Sequence, residues 1–281
     1  MLGWGIVRFL SRKKSEFKHA LLMRFGPRDA RKKLEPLPGK SFNMRLDTHE
    51  LVQCGIYRWG AWEWETTELL GKILCPGDTF VDIGAQVGYF GLLGATLVGP
   101  TGAVHAFEPS PGSQKFFRRN QSSNNFKQLH LHPIALSNIS GNTTLFLRSN
   151  GQRGGDSFDG APTEERVQVR VLRFEDAIKE LSIDTSRIRL IKIDVEGAET
   201  RVLDGMADLL ASPNAPDFIF EINIACLHGL GTSPEELKGR FLDAGFRVFE
   251  LTGRFERREV DRNTPPHNIV VNCWASKRGP F

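Results

Sequence analysis

In this 281-residue chain Asp82, Glu108, and the pair Asp194 and Glu196 each end a short apolar run within three residues of a glycine or proline. Acids at strand exits can hold a cationic or hydroxylated ligand. In Thr79 to Phe90, Val81 and Ile83 bracket Asp82, Gly84 permits a tight turn, and Gly88 would let a helix N-terminus approach a ligand closely. A dinucleotide cradle needs Gly-x-Gly-x-x-Gly, but the three positions hold Gly84, Gln86 and Tyr89, whose side chains would crowd a diphosphate. S-adenosylmethionine has no diphosphate and suits this turn better. Its ammonium fits Asp82, and Glu108, after the strand of Gly102 to Phe107, can accept both ribose hydroxyls. Either acid alone reads equally well as a turn or cap residue; together, on successive parallel strands, they favour a site.

Further acids belong to the same pattern. Ile188 to Ile193 is an apolar strand with Asp194 and Glu196 at its exit, and Asp217 to Ile222 repeats strand and acid with Glu221. Ligands of doubly wound sheets bind at the carboxyl ends of strands, so these acids should face the cleft of Asp82 and Glu108. Glu63 lies among Trp59, Trp62 and Trp64, where it meets a substrate or caps the helix that follows; capping is the preferred expectation.

The elements that must position these residues alternate between strands and helices. A helix over Thr66 to Leu74 precedes the first strand, another runs from about Gly112 to Asn120, and His130 to Ser137 reads as one strand. Thr143 to Leu147 and Val167 to Leu172 are further strands, and a helix follows Glu199 to about Leu210. Pro234 to Ala244 is a helix, with final strands at Phe246 to Leu251 and Asn268 to Trp274. Ser149 to Pro162, rich in Gly, Ser and Asp, is a surface loop or a lid over the cleft.

The net charge of +4 is uneven. Residues 1–33 hold ten basic side chains against Glu16 and Asp29, a net +8 that leaves the remainder at −4. A mildly acidic body argues against a nucleic-acid-binding catalytic domain. The basic arm is expected as a solvated, partly helical extension, with weak contact to an anionic membrane surface as the alternative. Pro36-Leu37-Pro38-Gly39 is a breaker cluster, which divides the chain into an extension over 1–45 and a catalytic domain over 46–281. Cys54, Cys75, Cys226 and Cys273 are scattered without a Cys-x-x-Cys pair, so no metal site is suggested and reduced thiols in the cytoplasm are expected. The apolar run Leu2 to Leu10 is interrupted by Arg8 and too short to span a bilayer. Composition leaves oligomeric state open.

Val81 to Tyr89, Ala106-Phe107-Glu108-Pro109, Ala135-Leu136-Ser137 and Ile191 to Glu199 resemble, in order, the motifs of the FkbM family of S-adenosylmethionine-dependent methyltransferases. The resemblance spans about residues 56–274, with Asp194-Val195-Glu196-Gly197 its most specific part. Gln86 stands where the family usually has asparagine, and Phe174-Glu175 where it often has Leu-Asp. The implied fold is α/β: a Rossmann-like class I methyltransferase with a mostly parallel seven-stranded sheet, an antiparallel last strand and helices on both faces. The implied reaction is O-methylation of a hydroxyl on a sugar, glycan or natural product.

On that reading Asp82, Gly84, Ala85, Gln86, Val87, Gly88 and Tyr89 hold the methionine part of the cofactor. Glu108 and Pro109 hold the ribose, and Ala135 and Leu136 lie beside the adenine. Asp194 and Glu196 orient or deprotonate the acceptor, with Glu63, His228 and Glu221 as weaker candidates; Glu196 reads equally as a helix cap. The acceptor pocket is assigned to Tyr57 to Glu65 and to the Ser149 to Pro162 loop. Two alternatives stand beside this: a methyltransferase for nitrogen or nucleic acid, and a cofactor-binding module without catalysis. Base-amino methylases often carry an Asn-Pro-Pro-Tyr-like motif where this chain has Asp194 to Gly197, which counts against the first. An NAD-linked dehydrogenase is disfavoured by Gln86 and Tyr89.

Overall fold

The structure, a computed structural model, describes residues 17–147, 165–253 and 256–279. In chain order these form helix α1 (17–25), strands β1 (Ala30–Leu37) and β2 (Lys40–Leu46), helices α2 (Leu51–Trp59) and α3 (Trp64–Ile73), β3 (Thr79–Ile83), α4 (Tyr89–Val98), β4 (Ala103–Phe107) and α5 (Pro111–Ser122). There follow β5 (Leu129–His132), β6 (Ala135–Leu136), β7 (Gly141–Leu147), β8 (Glu165–Leu172), α6 (Phe174–Leu181), β9 (Ile188–Ile193), α7 (Glu199–Asp204), α8 (Ala207–Ala211) and β10 (Asp217–Asn223). The last elements are α9 (Ile224–Gly229), α10 (Pro234–Asp243), β11 (Arg247–Gly253), β12 (Glu256–Val260) and β13 (Val270–Ser276).

The main sheet has the order β12-β11-β13-β10-β9-β3-β4-β5. The pairs β10–β9, β9–β3, β3–β4 and β4–β5 are parallel, and β13 is antiparallel to both β10 and β11. This is the Rossmann-like methyltransferase sheet with its last strand reversed, enlarged from the expected seven strands to eight by β12, which pairs antiparallel with β11 at the edge. The added strand is charged, Glu-Arg-Arg-Glu-Val, so its sequence lacks the apolar alternation that marks the others.

The strands are buried on both faces, as a parallel sheet between helix layers must be. Phe80, Leu190 and Ile219 pack on one side against α4, while Val81, Ile83, Ile191, Ile193, Phe218, Phe220 and Ile222 pack on the other. The helix layers therefore take alternate side chains from each strand. The same alternation sends Asp82, Lys192, Asp194 and Glu221 toward the α4 side. There Asp82 and Lys192 are paired in register, as are Lys192 and Ile219, so one face carries a polar row at the strand exits.

Several expected elements change shape. Pro36 and Leu37 end β1 and Pro38-Gly39 is the turn of the β1–β2 hairpin, not a break between arm and body; Leu34, Phe42, Met44 and Leu46 join the core on the α4 side. His130 to Ser137 is split: β5 pairs with β4, whereas β6 joins β7 and β8 in a separate three-stranded sheet. Pro133, which has no N–H for a ladder, sits at the break. The helix expected from Glu199 to Leu210 is also interrupted. At Gly205 a Cβ would lie 2.0 Å from the Ser137 carbonyl oxygen, so the chain turns there and resumes as α8.

Candidate functional site

The ends of β3, β4 and β9 are laced together by backbone hydrogen bonds. The N–H groups of Gly84 and Ala85 donate to the Phe107 carbonyl at 3.0 and 3.1 Å, and Asp194 N–H donates to the Ile83 carbonyl at 3.0 Å. Gly84 has φ 83°, and a Cβ there would lie 1.8 Å from the Asp194 carbonyl oxygen. This glycine is demanded by the approach of two strand exits. Gly88, expected to admit a ligand, instead makes room for a ring: its Cβ would stand 2.8 Å from Phe117 Cδ2.

A cleft opens above these exits, lined at one end by Gln86, Phe107, Glu108, Ile134, Leu136 and Leu145. Glu108 is fixed by main-chain donors: Gln86 N–H reaches one carboxylate oxygen at 2.8 Å and Ser110 N–H the other at 2.7 Å. Gln114 Nε2 bonds the carbonyls of Glu108 and Pro109, which holds the turn. The apolar side chains around it form a slot for a flat ring.

The other end of the cleft is lined by Trp62, Glu63, Lys192, Asp194, Glu196 and Glu221. Lys192, only 2% exposed, donates from Nζ to Asp194 Oδ2 at 2.8 Å and lies 4.8 Å from the centre of the Phe90 ring. Burial alone would push this ammonium's pKa down, but Asp194, Glu63 and Asp82 hold it above its usual value. Glu63, Asp194 and Glu221 offer oxygens within 4.8 Å of one another, a spacing able to hold a metal ion, although composition suggested no metal site. The Lys192 ammonium is already bonded to Asp194 of this group and acts on Glu63.

Crowding raises the acids. Burial pushes Glu63 up, against the pull of Lys192 and with the help of Asp194. Glu221 is raised by burial first and then by the charges of Asp194, Glu63, Glu196 and Glu199. Asp82 is raised by burial to about 6, with Lys192 opposing and Asp194 adding. Burial and mutual repulsion thus raise Glu63, Asp82 and Glu221 together.

The expected site residues divide cleanly. Gly84, Ala85, Gln86, Tyr89, Glu108, Pro109, Ala135, Leu136, Asp194, Glu196, Glu63 and Glu221 line one cleft. Asp82 does not: it is buried beneath the cleft beside Lys192, with the Gly91 N–H on its carboxylate. Val87 and Gly88 pack inward, the Val87 carbonyl accepting from Asn120 Nδ2 at 2.9 Å. His228 is exposed near the end of α9 and does not line the cleft. Glu63 stands at the N-cap position of α3 but makes no capping hydrogen bond; its left-handed φ of 41° leaves the side chain in the cleft. Glu196 is not the cap of α7 either. Glu199, the first residue of α7, instead ties down the preceding turn, accepting from the N–H groups of Val195 and Gly197 at 3.0 and 3.3 Å, while Glu196 accepts from Cys226 Sγ at 3.3 Å.

Four non-glycine residues among those described have positive φ, and three of them, Glu63, Gln86 and Glu196, line this cleft. Such strain persists where surrounding structure enforces it, and it clusters at functional sites. Lys192 and Trp62 were not singled out from the sequence. The signal for Lys192 was there, since a lysine inside Ile188-Arg-Leu-Ile-Lys-Ile193 must find a buried anion. The Ser149 to Pro162 loop lies outside the described residues.

The family model described as the methyltransferase FkbM domain matches residues 82–248. The chain belongs to the FkbM methyltransferase family. Within it, the chain is 32% identical over 167 residues to 31-O-demethyl-FK506 methyltransferase FkbM of Streptomyces tacrolimicus, covering 49% of this chain and 63% of that protein. It is 30% identical over 152 residues to Methyltransferase 1 of Beauveria bassiana (strain ARSEF 2860), covering 47% of this chain and 60% of that protein. The chain thus matches somewhat over half the length of these relatives. Among solved structures, methyltransferase FkbM from Methylobacillus flagellatus KT aligns with 16% identity and a TM-score of 0.44, over 74% of this chain and 50% of that one. No helix among the described residues is long and apolar enough to cross a membrane.

Proposed function

We propose that this FkbM-family chain binds S-adenosylmethionine and transfers its methyl group to a hydroxyl of a sugar, glycan or natural product. One observation carries the reading: a single cleft joins an amide-fixed carboxylate beside an apolar slot to a cluster of carboxylates on the neighbouring strand exits. The first end fits a ribose and an adenine. The second fits a positive charge and a hydroxyl that must lose its proton. When bound, the cofactor supplies an electrophilic methyl on a sulfonium.

The chain's own residues supply alignment and proton removal, which are what an in-line displacement asks of a protein. Glu108 receives the ribose hydroxyls, Gln86 and Tyr89 close the turn side, and Ala135, Leu136 and Leu145 flank the ring. Asp194, oriented by Lys192, accepts the hydrogen bond of the acceptor hydroxyl, and the Glu63–Asp194–Glu221 cluster takes the proton as a shared unit. Glu196, at the rim, orients the acceptor. Asp82 acts from below, as part of the charge balance around Lys192.

The test is a methyl-transfer screen of wild-type protein against glycans, free sugars and polyhydroxylated small molecules, read by the mass of one added methyl. With an acceptor in hand, Asp194→Asn should lower the rate about 100-fold or more, the usual worth of a positioned base, while donor affinity changes less than about threefold. An unchanged rate would remove Asp194 from the mechanism. Binding of the donor without turnover on any hydroxylated acceptor, together with turnover on an amine or nucleic acid, would replace the O-methylation reading.

A further inference from the structure

Helix α1 has two apolar faces, and the fold uses one of them. At about 100° per residue, His19, Leu22 and Met23 fall on one arc. These are the half-buried positions of the helix: His19 stacks on Trp59 with ring centres 5.4 Å apart, and the Leu22 carbonyl accepts from Thr48 Oγ1 at 3.2 Å. Phe17, Leu21 and Phe25 fall on the opposite arc and are 64%, 42% and 72% exposed. Lys18 and Arg24 share that arc, with the Arg24 guanidinium 5.2 Å from the Phe25 ring centre. Trp59, 50% exposed beside His19, extends the apolar surface, and Arg58 lies 5.3 Å from its ring.

The charges choose the occupant. Helix α1 carries no carboxylate, and Asp29, the first acid after it, is engaged by Arg45 and Arg119 at 2.9 and 2.6 Å. A second copy docked face to face would set Lys18 and Arg24 against the same cations. A nucleic acid would satisfy the cations but leave three large apolar side chains without a partner. A surface that is apolar below and anionic at its boundary satisfies both. In sequence the stretch ahead of the helix continues the composition, with Trp4, Ile6, Phe9 and Leu10 among Arg8, Arg12, Lys13 and Lys14.

We propose that the outer face of α1 docks on an anionic lipid surface, with Phe17, Leu21 and Phe25 entering the acyl boundary and Lys18 and Arg24 pairing with headgroups. The face belongs to a region separate from the cleft, so the chain would be held at a membrane without a spanning helix. An enzyme so placed meets amphiphilic acceptors at the interface.

The experiment is co-sedimentation of the full chain with phosphatidylcholine vesicles made with and without phosphatidylserine, alongside titration of S-adenosylhomocysteine to check the cleft. The expected result is sedimentation with the phosphatidylserine vesicles only. The combined variant Phe17→Ser, Leu21→Ser, Phe25→Ser should weaken it at least about tenfold, and Lys18→Glu with Arg24→Glu by a comparable factor, both variants keeping wild-type affinity for S-adenosylhomocysteine. Three results would overturn the proposal: no sedimentation with either vesicle, equal sedimentation of the apolar variant, or a wild-type dimer in solution that the apolar variant breaks. Loss of S-adenosylhomocysteine binding by the wild-type chain would instead bear on the cleft and leave the lipid result standing.

Discussion

The two ends of the cleft are built on opposite principles. The Glu108 end is main-chain work: amide donors fix the carboxylate, backbone bonds join three strand exits, and apolar side chains fill in. The Lys192 end is side-chain work, with Glu63, Asp82 and Asp194 acting on one buried ammonium and Glu221 beside Glu63 and Asp194. The first end is preorganised by backbone donors. The second is electrostatically loaded and answers to protons and cations, which suits it to the step in which charge moves.

The largest effect should come from breaking what the two ends share. Gly84→Ala forces a Cβ to 1.8 Å from the Asp194 carbonyl oxygen at a left-handed φ, so the strand exits must separate. A loss of about 4 kcal/mol or more is expected in chemical denaturation, at the upper limit of single substitutions. Lys192→Met strikes the loaded end alone: it leaves the buried Asp82 and the half-buried Asp194 without their cation, and about 3 kcal/mol should be lost. Lys192→Arg, which keeps the charge, should retain more stability, and equal losses for both variants would mean that shape, not charge, is at stake.

Smaller effects follow from pH. Glu221 is raised above its ordinary 4.5 in the fold, so its contribution to stability is complete below that value and is lost as pH rises through the folded pKa. Between pH 7 and 8.5 stability should fall, with an upper bound of about 1.4 kcal/mol per pH unit for one such carboxyl, and Glu221→Gln should flatten the slope. Thermal melts at fixed ionic strength read this directly. At pH 7, binding of cationic S-adenosylmethionine should lower the cluster's pKa values and release more protons than binding of S-adenosylhomocysteine. Calorimetry in two buffers of different ionisation enthalpy measures the difference, and equal release would contradict a cluster facing the sulfonium.

The main-chain end was largely legible in the sequence. Gly84, Gln86 and Glu108 occupy fixed places relative to a strand exit, and strands buried on both faces announce themselves as apolar runs. The loaded end was legible only in part. Asp194, Glu221 and Glu63 were expected near the cleft, yet Asp82 was given to the ligand because parity along β3 does not say how deep a side chain lies. Lys192 passed unnoticed because its partners come from separate segments. The structural acid proved to be Glu199, not Glu196, for a related reason: Glu196 and Gly197 take left-handed φ, and Gly197 packs against Cys226. The β12 strand and the hairpin over Pro38-Gly39 were missed where charge or proline masked the pattern.

The central claim, a methyl-donor cleft with its ribose anchor at Glu108, is tested most directly by titrating S-adenosylmethionine into wild-type protein and Glu108→Ala at one pH. Wild-type binding weakened by about 2–3 kcal/mol in the variant, the worth of hydrogen bonds to a charged group, is the predicted result. Absence of binding by the wild-type chain, or equal affinity in the two proteins, would contradict it.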